Sequence, residues 1–98
     1  MSNFIRSALI QCLMELKGTS QSHIAASMLL SKSAVREVIS GQCRSGRIEH
    51  AVAAALELPV WQVFSNYYSP TGERLKTDPR NTVVDVTYLL AAIAKASS

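Results

Sequence analysis

Apolar residues recur at three- and four-residue spacing along most of this chain, and the breaks in that rhythm divide it into short helices. Phe4, Ile5, Ala8, Leu9, Cys12, Leu13 and Leu16 mark an amphipathic first helix over 3–17 that ends before Gly18. A second helix starts at Ser20, Gln21 or Ser22 and runs to about Met28. A third covers about 32–40 and stops at Gly41, a residue suited to a left-handed cap. After a basic loop, Gln42 to Gly46, the series Ile48, Ala51, Val52, Ala55 and Leu56 marks a fourth helix beginning at Ser45 or Gly46. Leu58-Pro59 ends it and opens a short fifth helix over about 60–66, because proline fits a first helical turn but not a helix interior. Val60, Trp61, Val63 and Phe64 are expected to close the core. The pattern predicts an all-α domain of five short helices.

The rhythm then stops and returns. Residues 69–81 carry Pro70-Thr71-Gly72 and Asp78-Pro79 turn signals without periodicity and read as a linker or arm after a domain over 1–68. From 82 to 98, Val83, Val86, Leu89, Leu90, Ile93 and the alanines between them return to helical spacing, although Val83 to Tyr88 is β-branched enough to form a strand instead. As a helix this segment is apolar on more than one side, so it needs a partner surface. Two surfaces are available: a second copy, paired through Val86, Leu89, Leu90 and Ile93 to give a homodimer, or the chain's own first helix, with the segment as a sixth core element.

Within the predicted helices, residues 20–41 place Ala25, Leu30, Val35 and Val38 at the inward positions of a helix-turn-helix, with small Ala25 where the two helices approach closely. Ser31 is placed to cap the second of these helices. Its outward positions are then Lys32, Ser33, Arg36, Glu37 and Ser40, side chains that hydrogen-bond to base edges and phosphates. Charge points the same way. The chain has 10 basic and 7 acidic residues, net +3, and Lys32 to Arg47 holds four basic residues (Lys32, Arg36, Arg44, Arg47) against Glu37 alone, which also sums to +3. The remaining 82 positions sum to zero, so the basic excess is local, as a phosphate contact requires.

Residues 4–66 resemble the lambda-repressor/Cro type of helix-turn-helix domain, in which five helices surround a small core and the third enters the major groove. Arg47 to Tyr68 is similar to the segment that follows the recognition helix in Ner-like regulators of transposable phages: an alanine-rich helix, a Leu-x-Pro-like turn, and a short helix ending in an aromatic pair. One position departs from the family pattern. Glycine usually stands four residues after the small alanine, because the turn there takes positive φ; here it is Leu29, at a cost of about 1 kcal/mol if held left-handed.

The resemblance implies double-stranded DNA as partner. Arg36 is the expected base reader, its fork matching guanine O6 and N7. Lys32 and Ser33 are expected at a base or the backbone, and Gln21 at a phosphate. Gln42, Arg44, Ser45 and Arg47 are expected to grip phosphates. His23 and His50 have no carboxylate or cysteine at ligand spacing, Cys12 is expected in the core, and Cys12 and Cys43 form no metal or disulfide set. No nucleophile elbow, phosphate loop, paired-carboxylate or zinc signature is present. The chain is thus expected to be a non-enzymatic, cofactor-free, cytoplasmic regulator of transcription, most simply a dimeric repressor on a palindromic operator. The alternative is an antitoxin or phage accessory factor whose C-terminal segment binds a partner protein. No apolar run of transmembrane length and no secretory signal pattern occurs, since Asn3, Arg6, Gln11 and Glu15 interrupt the N-terminal apolar residues.

Overall fold

Serine hydroxyls start three of the helices. Ser20, Ser31 and Ser45 sit in extended conformation and accept the amides of His23, Ala34 and Ile48 at 3.1, 3.2 and 3.4 Å, each satisfying one donor that the helix leaves orphaned. The computed structural model describes residues 2–76 and 85–97. Among them the elements are α1 (Ser2–Lys17), α2 (Gln21–Ser27), α3 (Lys32–Ile39), α4 (Gly46–Ala55), α5 (Val60–Val63) and α6 (Thr87–Ala96), with no strand longer than an isolated bridge.

Four helices end in the same left-handed stop. After α1, α2, α3 and α4 the reversing residues are Gly18 (φ 73°), Leu29 (φ 58°), Gly41 (φ 83°) and Glu57 (φ 59°). At α2 the stop is closed by Leu30 N–H to Ala25 O at 2.9 Å and Leu29 N–H to Ala26 O at 3.2 Å; α4 repeats it with Leu58 to Ala53 and Glu57 to Ala54, both 3.0 Å. Leu29 therefore adopts the left-handed conformation that its neighbours demand and that glycine would adopt without strain.

The core is one cluster. Ile10, Leu13 and Met14 of α1 meet Ile24 and Ala25 of α2, Val35, Val38 and Ile39 of α3, Ile48, Val52 and Ala53 of α4, and Val63, Phe64, Tyr67 and Leu89. Packing of α6 against α1 and α5 completes it. Leu89 is fully buried there, and Trp61 of α5 meets Tyr88 edge-on at 4.9 Å. Ser65 Oγ donates to Asp85 O at 2.8 Å, and the Asp85 carboxylate accepts the amide of Thr87, the first residue of α6, at 2.9 Å. Hydrogen bonds from the Thr87 side chain and then from its amide hold the Asp85 carboxyl below its ordinary pKa.

Several expectations change. The C-terminal segment is helical from Thr87 and lies on α1, so Leu89 is spent on the chain's own core and is unavailable to pair subunits; Val86 and Ile93 are half-buried against the same core, and only Leu90 stays largely exposed. Val83 and Val84 lie outside the described residues. Cys12, expected in the core, is exposed, because the buried face of α1 runs through Ile10, Leu13 and Met14. The fifth helix is shorter than 60–66, ending at Val63.

The first part of the expected linker is also structured. Residues 67–75 form a small hairpin: Tyr68 and Arg74 make an antiparallel bridge, Ser69 N–H reaches Glu73 O at 2.9 Å, Leu75 N–H reaches Tyr67 O at 2.7 Å, and Gly72 (φ 90°) closes the tip. Residues 77–81 of that linker lie outside the described residues.

Two arginines hold this region around Tyr67. Fully buried Arg6 donates to Asn66 Oδ1 at 2.8 Å and Tyr67 Oη at 3.2 Å, with its guanidinium 4.8 Å from the Tyr67 ring centre and 5.1 Å from that of Phe64. The aromatic faces and neutral acceptors stand where a carboxylate would normally be. Arg44 lies 4.3 Å from the Tyr67 ring centre.

Candidate nucleic-acid interface

The α2–α3 pair presents α3 to solvent along one side. Buried Val35, Val38 and Ile39 alternate at helical spacing with exposed Lys32, Ser33, Arg36 and Glu37. Where the start of α3 faces the start of α2 and the middle of α1, Gln11, Ser20, Gln21, Ser22, Lys32, Ser33 and Arg36 line an open cleft of about 480 Å³. Every lining side chain is polar or cationic and none is acidic. Gln21 Nε2 donates to Gln11 Oε1 at 3.2 Å, which fixes the Gln21 amide at the cleft wall. Gln11 was not among the expected site residues; one polar side chain among several on an amphipathic helix gave no signal of its own.

Among the described residues Lys32, Arg36 and Arg47 have no acid within ion-pair distance. The ion pairs there are Lys17 with Glu57 at 3.0 Å and Arg44 with Glu49 at 3.6 Å. A pairing of Arg36 with Glu49 is closed off, because the Glu49 carboxylate is fully buried and engaged elsewhere. Ser31 combines two roles: its oxygen accepts the Ala34 amide as a cap, which leaves its hydroxyl hydrogen to donate. Ser40 turns back on its own helix, donating to Glu37 O at 3.3 Å. Gln42 and Arg47 are exposed at the far end of α3 and the start of α4.

The assignment of Arg44 to phosphate is corrected. Its side chain is only 11% exposed, and its guanidinium donates to the carbonyls of Leu75 and, at 3.3 Å, Tyr67 while facing Glu49 Oε2 at 3.6 Å. Glu49 in turn accepts Tyr68 Oη at 2.8 Å and the Ser45 amide at 3.2 Å. Arg44 therefore pins the hairpin to the loop after α3, and its charge is compensated internally. Ser45 is likewise bound up in the start of α4, with its hydroxyl on Ile48 N and its amide on Glu49. Sequence spacing could not show this, because the partners of Arg44 lie 23 and 31 residues away.

Burial and the Glu49 carboxylate push the Tyr68 phenol up to about 12. The Cys43 thiol is raised by partial desolvation and then by the charges of Glu37 and Glu49, so little of it is thiolate at neutral pH. Among the described residues no cluster of three or more His, Cys, Asp or Glu side chains could hold a metal ion, and no helix is long and apolar enough to cross a membrane. Comparison of the chain with protein-family models, curated proteins and solved structures finds no match.

Proposed function

We propose that the chain is a sequence-specific DNA-binding protein of helix-turn-helix type, acting as a transcriptional repressor by occluding a promoter, with α3 as the helix that enters the major groove. The observation that carries this reading is the exposed side of α3: Lys32, Ser33 and Arg36 share one acid-free cleft with Gln21, and neither cation is neutralised by a neighbouring acid among the described residues. Ordinary surfaces intersperse the two signs of charge. Here Arg36 reads a guanine edge, Lys32 and Ser33 reach an adjacent base or phosphate, and Gln21, Gln42 and Arg47 hold the backbone on either side. A single α3 offers few base contacts, so the protein binds as a homodimer on a palindrome, with exposed Leu90 of α6 as a pairing contact. A partner-protein role for the C-terminal segment draws less support, because Leu89 is committed to the chain's own core.

Selection of bound duplexes from a random-sequence pool tests this reading. The expected result is an enriched palindrome with half-sites about 34 Å apart, one helical turn. A pool that stays random after repeated selection overturns it.

A further inference from the structure

We infer that the 67–76 hairpin is a second DNA contact, a small wing whose Arg74 and Lys76 grip the phosphate backbone of the duplex held by α3; the inference rests on the DNA-binding reading above. The hairpin does not hang free. Arg44 donates to a carbonyl on each of its arms, Tyr67 O and Leu75 O, and so fixes both arms to the loop that leaves α3. Tyr68 anchors it from inside through Glu49 at 2.8 Å, and the His50 ring packs edge-on against Tyr68 at 5.2 Å.

That anchoring sets Arg74 beside the first turn of α4. A Cβ built on Gly46 would lie 3.8 Å from Arg74 Nε and 3.9 Å from its Cζ. Arg47 follows Gly46 in the same first turn of α4, where the chain arrives from α3. Arg74, Leu75 and Lys76, with Arg44, line an open cleft of about 440 Å³ that has no acidic wall.

Arg74 and Lys76 are exposed. Neither has an acid within ion-pair distance among the described residues. The nearby Glu49 is already engaged by Arg44, Tyr68 and Ser45. Glu73 is the one acid on the hairpin, and side-chain alternation along an extended arm sends it to the face opposite Arg74 and Lys76. An anion with regularly spaced charges, passing from α3 across the start of α4, meets Arg47, Arg74 and Lys76 in turn. The phosphate backbone of a duplex is such an anion, and its grip is insensitive to base sequence.

The test uses the full chain and a labelled duplex of mixed sequence, titrated from low to physiological salt. Arg74→Gln with Lys76→Gln removes two charges from exposed positions; Lys17→Gln, which removes one cation paired with Glu57, shows the effect of losing a charge away from the wing, and circular dichroism checks folding of each variant. The expected result is that the double variant stays folded, binds about 10-fold more weakly at low salt and loses between one and two units from the slope of log affinity against log salt, while Lys17→Gln changes neither. Wild-type binding with an unchanged slope in the double variant, or a loss no larger than that of Lys17→Gln, overturns the wing and leaves the DNA-binding reading standing. Failure of the wild-type chain to bind the duplex at any salt overturns both.

Discussion

Replacing Arg44 by alanine should cost stability rather than phosphate affinity. Three groups hold the Glu49 carboxylate at 0% exposure: Tyr68 Oη at 2.8 Å, the Ser45 amide at 3.2 Å and the Arg44 guanidinium at 3.6 Å. Alanine at 44 removes the one cation and leaves a buried anion with two neutral donors. Removing one partner of a buried pair costs about 3–5 kcal/mol, chiefly through the stranded charge. The hydrogen bond to the Tyr67 carbonyl adds about 1 kcal/mol, whereas the Leu75 carbonyl, on an exposed residue, regains water. A domain of this size has roughly 5–15 kcal/mol in total, so Arg44→Ala should lower the urea midpoint by about 2 M or leave the chain unfolded. The assay is urea unfolding followed by circular dichroism, run as a cycle with Glu49→Gln. Because Glu49→Gln removes the stranded charge, Arg44→Ala in that background should cost much less than in the wild type. A loss below about 1 kcal/mol for Arg44→Ala, or strictly additive losses in the cycle, would refute the internal role and return Arg44 to the surface cations.

Other outcomes follow from the same geometry. Leu29→Gly should stabilise by about 0.5–1 kcal/mol in thermal or urea unfolding, since relief of a left-handed leucine outweighs the extra freedom of an unfolded glycine; destabilisation would mean that the 93% exposed leucine has a contact of its own. Leu89→Ala should cost about 2–5 kcal/mol, whereas Leu90→Ala should leave folding nearly unchanged and weaken self-association in sedimentation; equal stability losses for the two would contradict the seating of α6. In alkaline titration read by tyrosinate absorbance, Tyr68 should ionise near 12, above its ordinary value of 10.0. The native state keeps a proton that the unfolded chain gives up, so this contribution to stability is complete below pH 10 and lost as pH rises towards 12. Glu49→Gln should bring the phenol only part of the way down, because burial is the larger cause.

The helices and their caps were legible because they are local. Ser20, Ser31 and Ser45 act within three residues of themselves, and the apolar spacing that marks α3 and α4 is the spacing that buries Val35, Val38 and Val52. On α1 the marked stripe is offset from the buried face: Phe4, Ile5 and Leu16 are exposed, while Ile10 and Met14, outside that stripe, are buried. The outward side of α3 followed from the same rule. Arg44 did not, since a cation in a polar loop looks the same whether it faces solvent or the carbonyls of a distant hairpin. The hairpin was hidden because one bridge between Tyr68 and Arg74 leaves no alternating pattern, and Cys12 was misplaced because the apolar stripe on α1 is wider than the face that the core covers. Leu29 was flagged as the exception in the turn, and its φ of 58° is where the left-handed stop of α2 falls.

The central claim is that α3 reads base sequence, and Arg36 tests it most directly. Arg36→Ala is titrated against the duplex recovered by selection, against the same duplex with one base pair of each half-site changed in turn, and against a scrambled duplex. Arg36 is exposed and outside the core, so folding should be untouched. The expected result is a loss of about 1–3 kcal/mol on the selected duplex, loss of preference at one base pair per half-site, and little change on the scrambled duplex. Equal losses on the selected and scrambled duplexes, with preference kept at every base pair, would contradict it.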